Sequence, residues 1–307
     1  MTSFNPIYGP IASRRLGRSL GITTSKEKHC NHQCIYCQLG KTEKLYQNRT
    51  ETLPLNTIVS ALKNALQKTD AFDIITIAGN GEPLLYKPLA KLIDAIRNLT
   101  DKPIAIITNG ALLYREDVRK DLAKADLVLP TLNGYDEASY QTMHRPHPSL
   151  TFQKHLDGLI TFSHHYQGAL WLEVMLMQGI NDSDDALKQI KTFIDQIKPT
   201  RVYVNTPLRT PAESTVRACD SVTMEHAARV LNGIAIDFLS EGYASTIEDH
   251  AEAIKSLIRH HPLHYYEIVA FLSSRHANIP KVLNTLNRDP SIITKKANGF
   301  TFYHLKT

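Results

Sequence analysis

Three of the four cysteines fall within eight residues, Cys30-Asn-His-Gln-Cys34-Ile-Tyr-Cys37, spaced C-x3-C-x2-C. Three thiolates on one short loop can hold three corners of a [4Fe–4S] cube, whereas a fully protein-ligated cube takes four cysteines. The fourth, Cys219, lies far downstream and reads as a lone thiol. A cube on this loop would leave one iron open to an outside ligand. Zinc is the competing reading, because cysteine-rich loops commonly bind it. Zinc needs four ligands, usually in two separated pairs, so His29, His32 or a distant residue would have to complete the set. The spacing is not that of a zinc ribbon, which favours iron and sulfur.

An open iron suits an amino-carboxylate chelate of the methionine type. The stretch Gly79-Asn80-Gly81-Glu82-Pro83 offers backbone carbonyls and amides with little steric cover, which suits an ammonium group. Asn109, Asn133, Glu173 and Asn205 could hydrogen-bond ribose hydroxyls or a carboxylate. Taken singly, a glycine loop at a strand end is more often a tight turn than a cofactor contact. Arg14, Arg15 and Arg18 read equally as a solvated basic edge or as a clamp for a carboxylate or phosphate beside the cysteine loop.

These residues punctuate a repeating pattern. Short apolar β-branched runs at 73–78, 103–107, 127–129, 170–176 and 201–204 each end in small or polar residues. Amphipathic helical periods at 55–67, 87–98, 115–124, 152–164 and 184–197 separate them. A short strand near 20–23 makes six β/α units, preceded by an irregular lead-in. Strands that alternate with helices build a parallel sheet, either an open partial barrel or a doubly wound sheet. Both gather functional groups at the strand C-terminal ends.

The pattern changes after about residue 210, which predicts a core over 1–215 and a smaller unit over 216–307. Helical periods at 224–239, 248–259, 264–272 and 279–286 precede two β-rich arms, 292–295 and 300–304, around Asn298-Gly299. Asn-Gly between such arms is a strong hairpin signal. Helices followed by a hairpin suggest a winged helix, with Lys295 and Lys296 on the wing. No apolar run approaches the roughly 20 residues of a membrane span, and the N-terminus lacks a signal-peptide core, so a cytoplasmic site is expected. The net charge of +5 permits an anionic partner without demanding one.

The cysteine loop and the Asn80–Pro83 stretch resemble motifs of the radical S-adenosylmethionine (SAM) superfamily. Cys30-x3-Cys34-x-Tyr36-Cys37 matches its signature, with an aromatic before the third cysteine. Asn80-Gly81-Glu82-Pro83 is similar to its Gly-Gly-Glu-Pro element, with Asn in the first glycine position. The resemblance covers residues 5–215. Residues 8–21, His144-Arg-Pro-His-Pro148, Leu172-Glu-Val-Met-Leu176 and Asn205-Thr-Pro-Leu-Arg209 further resemble stand-alone Fe–S oxidoreductases akin to wyosine-type tRNA-guanosine synthases.

The resemblance implies a (βα)6 partial barrel with a [4Fe–4S] cluster on Cys30, Cys34 and Cys37, and SAM on the open iron. It implies Tyr36 along the adenine and Asn80 to Glu82 at the amino group, with Thr108, Asn109, Asn133 and Glu173 toward ribose or carboxylate. An external flavodoxin- or ferredoxin-like donor would supply the electron, and a 5′-deoxyadenosyl radical would take hydrogen from the substrate. That substrate is read as a tRNA base. The competing readings are a peptide, protein or small metabolite, glycyl-radical activation included, and a non-catalytic Fe–S regulator built on the winged helix. His144 and His147 are expected to be solvated imidazoles in a loop, Arg145 a clamp, and His164, His165, His260 and His261 surface residues.

Overall fold

The computed structural model describes residues 4–236, 242–297 and 300–306. Eight strands form one sheet in chain order. They are β1 (Ile7–Ser13), β2 (Gly17–Ile22), β3 (Ile74–Ile77), β4 (Ile104–Thr108), β5 (Leu127–Pro130), β6 (Ala169–Met175), β7 (Arg201–Asn205) and β8 (Ile234–Ala235). β1 pairs antiparallel with β2, and every later neighbour is parallel. Helices follow each parallel strand from β2 to β7: α1 (Leu55–Leu66), α2 (Leu89–Arg97), α3 (Glu116–Leu122), α4 (Glu137–His144) with α5 (Phe152–His165), α6 (Asp184–Ile197) and α7 (Ser221–Leu231). A doubly wound sheet reverses its strand order at a switch point. This order never reverses, which selects the partial barrel.

The period-2 alternation of a strand gives each one an outer and an inner face. Ile75, Ile77, Ile104, Ile106, Val128, Leu172 and Val174 pack outward among the helices. Leu16, Ile74, Ala105, Leu127 and Leu129 form a separate apolar cluster, with Ile107, Ala169 and Trp171 against it. The parity of the strand residues among them places the cluster on the concave side, where it fills the floor of the barrel. Thr76, Glu173 and Asn205 share that inner parity and stand above the floor.

Three sequence expectations need correction. The lead-in is not irregular: Ile7–Ser13 is strand β1, whose N–H and C=O groups pair with β2 through Ile7↔Ile22 to Ser13↔Gly17. Helix α4 replaces the expected loop, started by Asp136, whose side chain accepts from Ser139 N in a capping box. The helix expected over 224–239 spans Ser221–Leu231 and stops at Asn232, in the left-handed conformation (φ 52°), so that Ile234–Ala235 can pair with β7. Asn-Gly after an apolar period is the stop signal that periodicity alone overran.

The C-terminal unit runs α8 (His250–His260), β9 (Leu263–His264), α9 (Tyr265–Ser274), α10 (Ile279–Arg288), β10 (Ile292–Ala297) and β11 (Phe300–Leu305). Its strands form an antiparallel sheet in the order β10-β11-β9. The hairpin closes with Ala297 opposite Phe300, while the predicted Asn298-Gly299 turn lies outside the described residues. Tyr8 and Ile11 of β1 join the core of this unit, which holds it against the first strand of the barrel. Among the described residues no helix is long and apolar enough to cross a membrane.

Candidate active site

The cysteine loop follows β2 and crosses the C-terminal ends of the parallel strands. Backbone hydrogen bonds tie it down on two sides. On one side His29 N–H donates to Asn80 O (3.0 Å) and Glu82 N–H donates to His29 O (2.8 Å). That close approach requires glycine at 81. Its φ is +121°, and a Cβ there would lie 2.0 Å from the His29 carbonyl oxygen. On the other side Ile35 N–H donates to Met143 O (3.0 Å) and His147 N–H donates to Asn31 O (2.8 Å).

Cys30, Cys34 and Cys37 all face one cleft of about 350 Å³. Burial pushes the Cys30 thiol up to about 12, with the Glu82 charge adding to it. Burial also raises the Cys34 thiol well above its ordinary range, helped by the neighbouring Cys30 and Cys37. A bound cation reverses this preference, because coordination deprotonates a thiol. Lys28 puts its ammonium 3.2 Å from Cys37 Sγ and also donates to Gly40 O, a positive charge suited to a cluster of thiolates. Cys219 is elsewhere, buried, with Sγ 3.9 Å from Asp182 Oδ2.

The strand ends converge on the same cleft. Glu82 is buried and accepts from Thr108 Oγ1 (2.5 Å), Asn109 N–H (2.7 Å) and Leu84 N–H (2.9 Å). Desolvation nevertheless pushes its carboxyl up to about 7, against the pull of those three donors. Asn109 Nδ2 donates to Asn31 Oδ1 (2.7 Å), which fastens the end of β4 to the cysteine loop. Glu173 ion-pairs with Arg15 and accepts from Asn205 Nδ2 (3.4 Å). Arg15 enters from the opposite end of β2 to the cysteines, so it reaches Glu173 through the barrel interior and not from beside the loop.

Of the nine residues expected around a nucleoside cofactor, Tyr36, Gly79, Gly81, Glu82, Thr108, Asn109 and Glu173 line the cleft. Asn80 and Asn133 stand behind that lining. Asn80 Nδ2 donates to Lys26 O (3.0 Å), and Asn133 Nδ2 donates to the Tyr36 hydroxyl (2.8 Å) while its Oδ1 accepts from Met175 N–H (2.7 Å). Arg145 points away and pairs with Glu213 (2.7 Å).

Two histidine expectations are overturned. His144 is fully buried, and its Nδ1 lies 3.4 Å from Cys34 Sγ. Burial lowers this imidazole to about 3, so it is neutral. His260 is also buried, stacked on Tyr8 at 4.2 Å, with Nδ1 3.0 Å from Asn80 Oδ1. The signal for His260 was present, because Ala253, Leu257 and His260 recur at i, i+4 and i+7 on one helix face. The signal for His144 depended on α4, where Tyr140 and His144 stand one turn apart. His164 and His165 are exposed, as expected.

The sequence profile of the Radical SAM superfamily matches residues 28–190, which contain the cysteine loop, the Gly79–Glu82 turn and the strand ends. The chain belongs to the radical SAM superfamily. A UPF0026 protein of Methanocaldococcus jannaschii is 31% identical over 96% of this chain and 94% of its own length. A Brachyspira hyodysenteriae protein named GTPase Obg is 35% identical over 97% of this chain, but the chain spans only 45% of that relative's length. The crystal structure of a radical SAM methyltransferase from Sphaerobacter thermophilus superposes with a TM-score of 0.53 at 15% identity, covering 71% of this chain and 65% of that one. That similarity is one of fold. As a radical SAM protein the chain is an enzyme, and its chemistry is SAM-dependent radical chemistry.

Proposed function

We propose that Cys30, Cys34 and Cys37 ligate a [4Fe–4S] cluster in this cleft and that SAM occupies the remaining coordination site. The observation that carries the reading is the donor set: three thiols of one loop face a cleft that also collects Glu82 and Asn109 from neighbouring strand ends. When bound, the cluster supplies an electron for the reductive cleavage of SAM, and through it hydrogen-atom abstraction from the substrate. The protein's own part is to bind, orient and shield. Lys28 offsets thiolate charge at Cys37. Glu82, anchored by Thr108 and Asn109, holds a carboxyl where an ammonium would sit, with the backbone of Gly79 and Gly81 beside it. Tyr36 is fixed by Asn133 on one wall of the cleft, and Glu173 with Arg15 closes the interior below it.

Anaerobic reconstitution tests this. The protein should take up four irons per chain, in keeping with the [4Fe–4S] type, and the EPR signal of the reduced cluster should change on adding SAM. Cys34→Ala should lose the cluster or its response to SAM. A cluster in that variant with an undiminished SAM response refutes the ligand assignment.

For the substrate we propose a tRNA base. The resemblance to wyosine-type synthases and the excess of basic residues support it. We read the C-terminal unit as winged-helix-like, on its helix order and its hairpin, and we read the electron donor as a separate flavodoxin- or ferredoxin-like protein. Comparing modified nucleosides in a deletion strain and its parent tests the substrate, and identical profiles count against it. The second reading, a protein or peptide substrate, is favoured by the exposed Tyr265, Tyr266 and Phe300 on the C-terminal unit. Deuterium transfer from a labelled candidate into 5′-deoxyadenosine separates the two.

A further inference from the structure

We infer that His144 is a positioning residue for the cluster: its Nδ1–H donates to the sulfur of Cys34 and raises the reduction potential of the cluster. The inference rests on the reading of Cys30, Cys34 and Cys37 as cluster ligands and adds a residue outside the cysteine loop.

The segment His144-Arg-Pro-His-Pro148 is built as a buttress for that loop. Gln33 N–H donates to His144 O (2.9 Å), and the bonds from Ile35 to Met143 and from His147 to Asn31 flank it. Arg145 takes a left-handed conformation (φ 41°) and caps α4, so the helix ends on His144 with its ring turned toward the cysteines. The Arg145 side chain leaves the cleft and pairs with Glu213, whose own N–H donates to Ile35 O (3.0 Å). His144, Arg145, Pro146 and His147 thus hold the cysteine loop from outside through its backbone, and His144 alone among them puts a polar side-chain atom against a sulfur.

The imidazole is packed among other rings, 5.0 Å from His32, 5.1 Å from Tyr140 and 5.8 Å from Tyr36 between centroids. Its Nδ1 has two neighbours, Cys34 Sγ at 3.4 Å and the Tyr36 hydroxyl at 3.5 Å. The Tyr36 hydroxyl accepts from Asn133 Nδ2 and is itself hydrogen-bonded to Cys34, so the sulfur is the nearer acceptor for a histidine proton and the point on which both side chains converge. A thiolate on iron can only accept, so the cluster-bound state requires the tautomer with hydrogen on Nδ1. His144 Nε2 is buried without a partner, which favours leaving that nitrogen unprotonated. His32 does not compete, because its Nε2 is 2.9 Å from the Tyr140 hydroxyl.

Reduction adds negative charge to the cluster and its sulfurs, so a hydrogen bond to a ligating sulfur strengthens in the reduced state and raises the potential. Burial magnifies the effect, because a low local dielectric strengthens the bond.

The test compares wild type, His144→Phe and His144→Asn, each reconstituted anaerobically and titrated by spectroelectrochemistry without SAM. Phe keeps a ring and removes the donor, whereas Asn Nδ2 stands close to the place of His Nδ1. Phe should shift the reduction equilibrium about tenfold toward the oxidised cluster, about 59 mV lower for a one-electron couple. Asn should recover most of that shift. An unchanged potential in the Phe variant overturns the inference, as does an equal shift in both variants, which would indicate packing alone. Should the Phe variant lose its cluster, pulsed EPR of the wild-type cluster with 15N-labelled histidine decides. Coupling to a histidine nitrogen supports the hydrogen bond and its absence overturns it. Failure of the wild type to take up a cluster would instead refute the ligand reading.

Discussion

His260 Nδ1 lies 3.0 Å from Asn80 Oδ1, and the two residues are 180 positions apart. Asn80 spends its amide N–H on Lys26 O, so its oxygen must accept and His260 must donate. The C-terminal unit thereby reaches into the turn that carries Gly79 to Glu82, and His260 itself lines the cleft.

His260→Leu should leave the Asn80 oxygen buried and unpaired. The expected loss of stability is about 1–3 kcal/mol. The cysteine loop meets His260 through its backbone carbonyl, which accepts from Gln38 Nε2 (3.3 Å), so iron uptake should persist while the concentration of SAM needed to change the EPR signal rises. Urea unfolding and a SAM titration measure the two effects. An unaltered titration would separate the C-terminal unit from cofactor binding.

Arg209, just past the end of β7, pairs with Glu267 of α9 (3.2 Å), and the side chains are only 11% and 4% exposed. Glu267 also accepts from His264 N–H (2.8 Å), and the Arg209 charge helps hold its carboxyl below the ordinary range against burial. Arg209→Met should strand a buried carboxylate and cost about 3–5 kcal/mol. Adding Glu267→Met should recover much of that, since a matched apolar pair avoids the desolvation penalty. Urea midpoints of the single and double variants check the coupling.

Gly81→Ala should disable the turn. The backbone conformation at φ +121° costs an L-residue roughly 1–3 kcal/mol. The contact with the His29 carbonyl adds to it and pushes the cysteine loop away from Glu82. The variant should fold with a lowered melting temperature and take up little iron. Full iron content in a stable variant would contradict the clamp.

Glu82 should leave a pH signature in the protein without cofactors. Its carboxyl titrates at about 7 when folded against an ordinary value of 4.5, so the folded state keeps a proton that the unfolded state has lost. This contribution is full below about 4.5, declines as pH rises, and is gone above about 7. The difference is on the order of 3 kcal/mol. Glu82→Gln, which never ionises, should lack that decline. Urea midpoints of both proteins at pH 5, near the acidic edge of the window, and at pH 8, about one unit beyond its upper edge, check the sign.

Much of the barrel is legible in the sequence. β3 to β7 and most of their helices fall where the apolar runs and helical periods place them, because a strand covered on both faces and a helix covered on one leave periodic traces. The misses share a cause. β1 carries Gly9, Pro10 and a register shift between Tyr8 and Ile11, which break its alternation. Helix α4 is short and weakly amphipathic, and its capping box outweighs its periodicity.

The sequence by itself determined the clustering of three thiols and the membership in the radical SAM superfamily, because three cysteines in eight residues are a local fact that any compact fold must bring together. It also determined the β/α alternation, which is encoded residue by residue. Only the tertiary structure decided which polar side chains back the site. His144 meets Cys34 across 110 positions, Arg15 meets Glu173 across 158, and His260 meets Asn80 across 180. Such pairs have no periodic trace. They exist because burial leaves a polar atom costly unless another is brought to it, and the chain folds so that distant residues supply the partner.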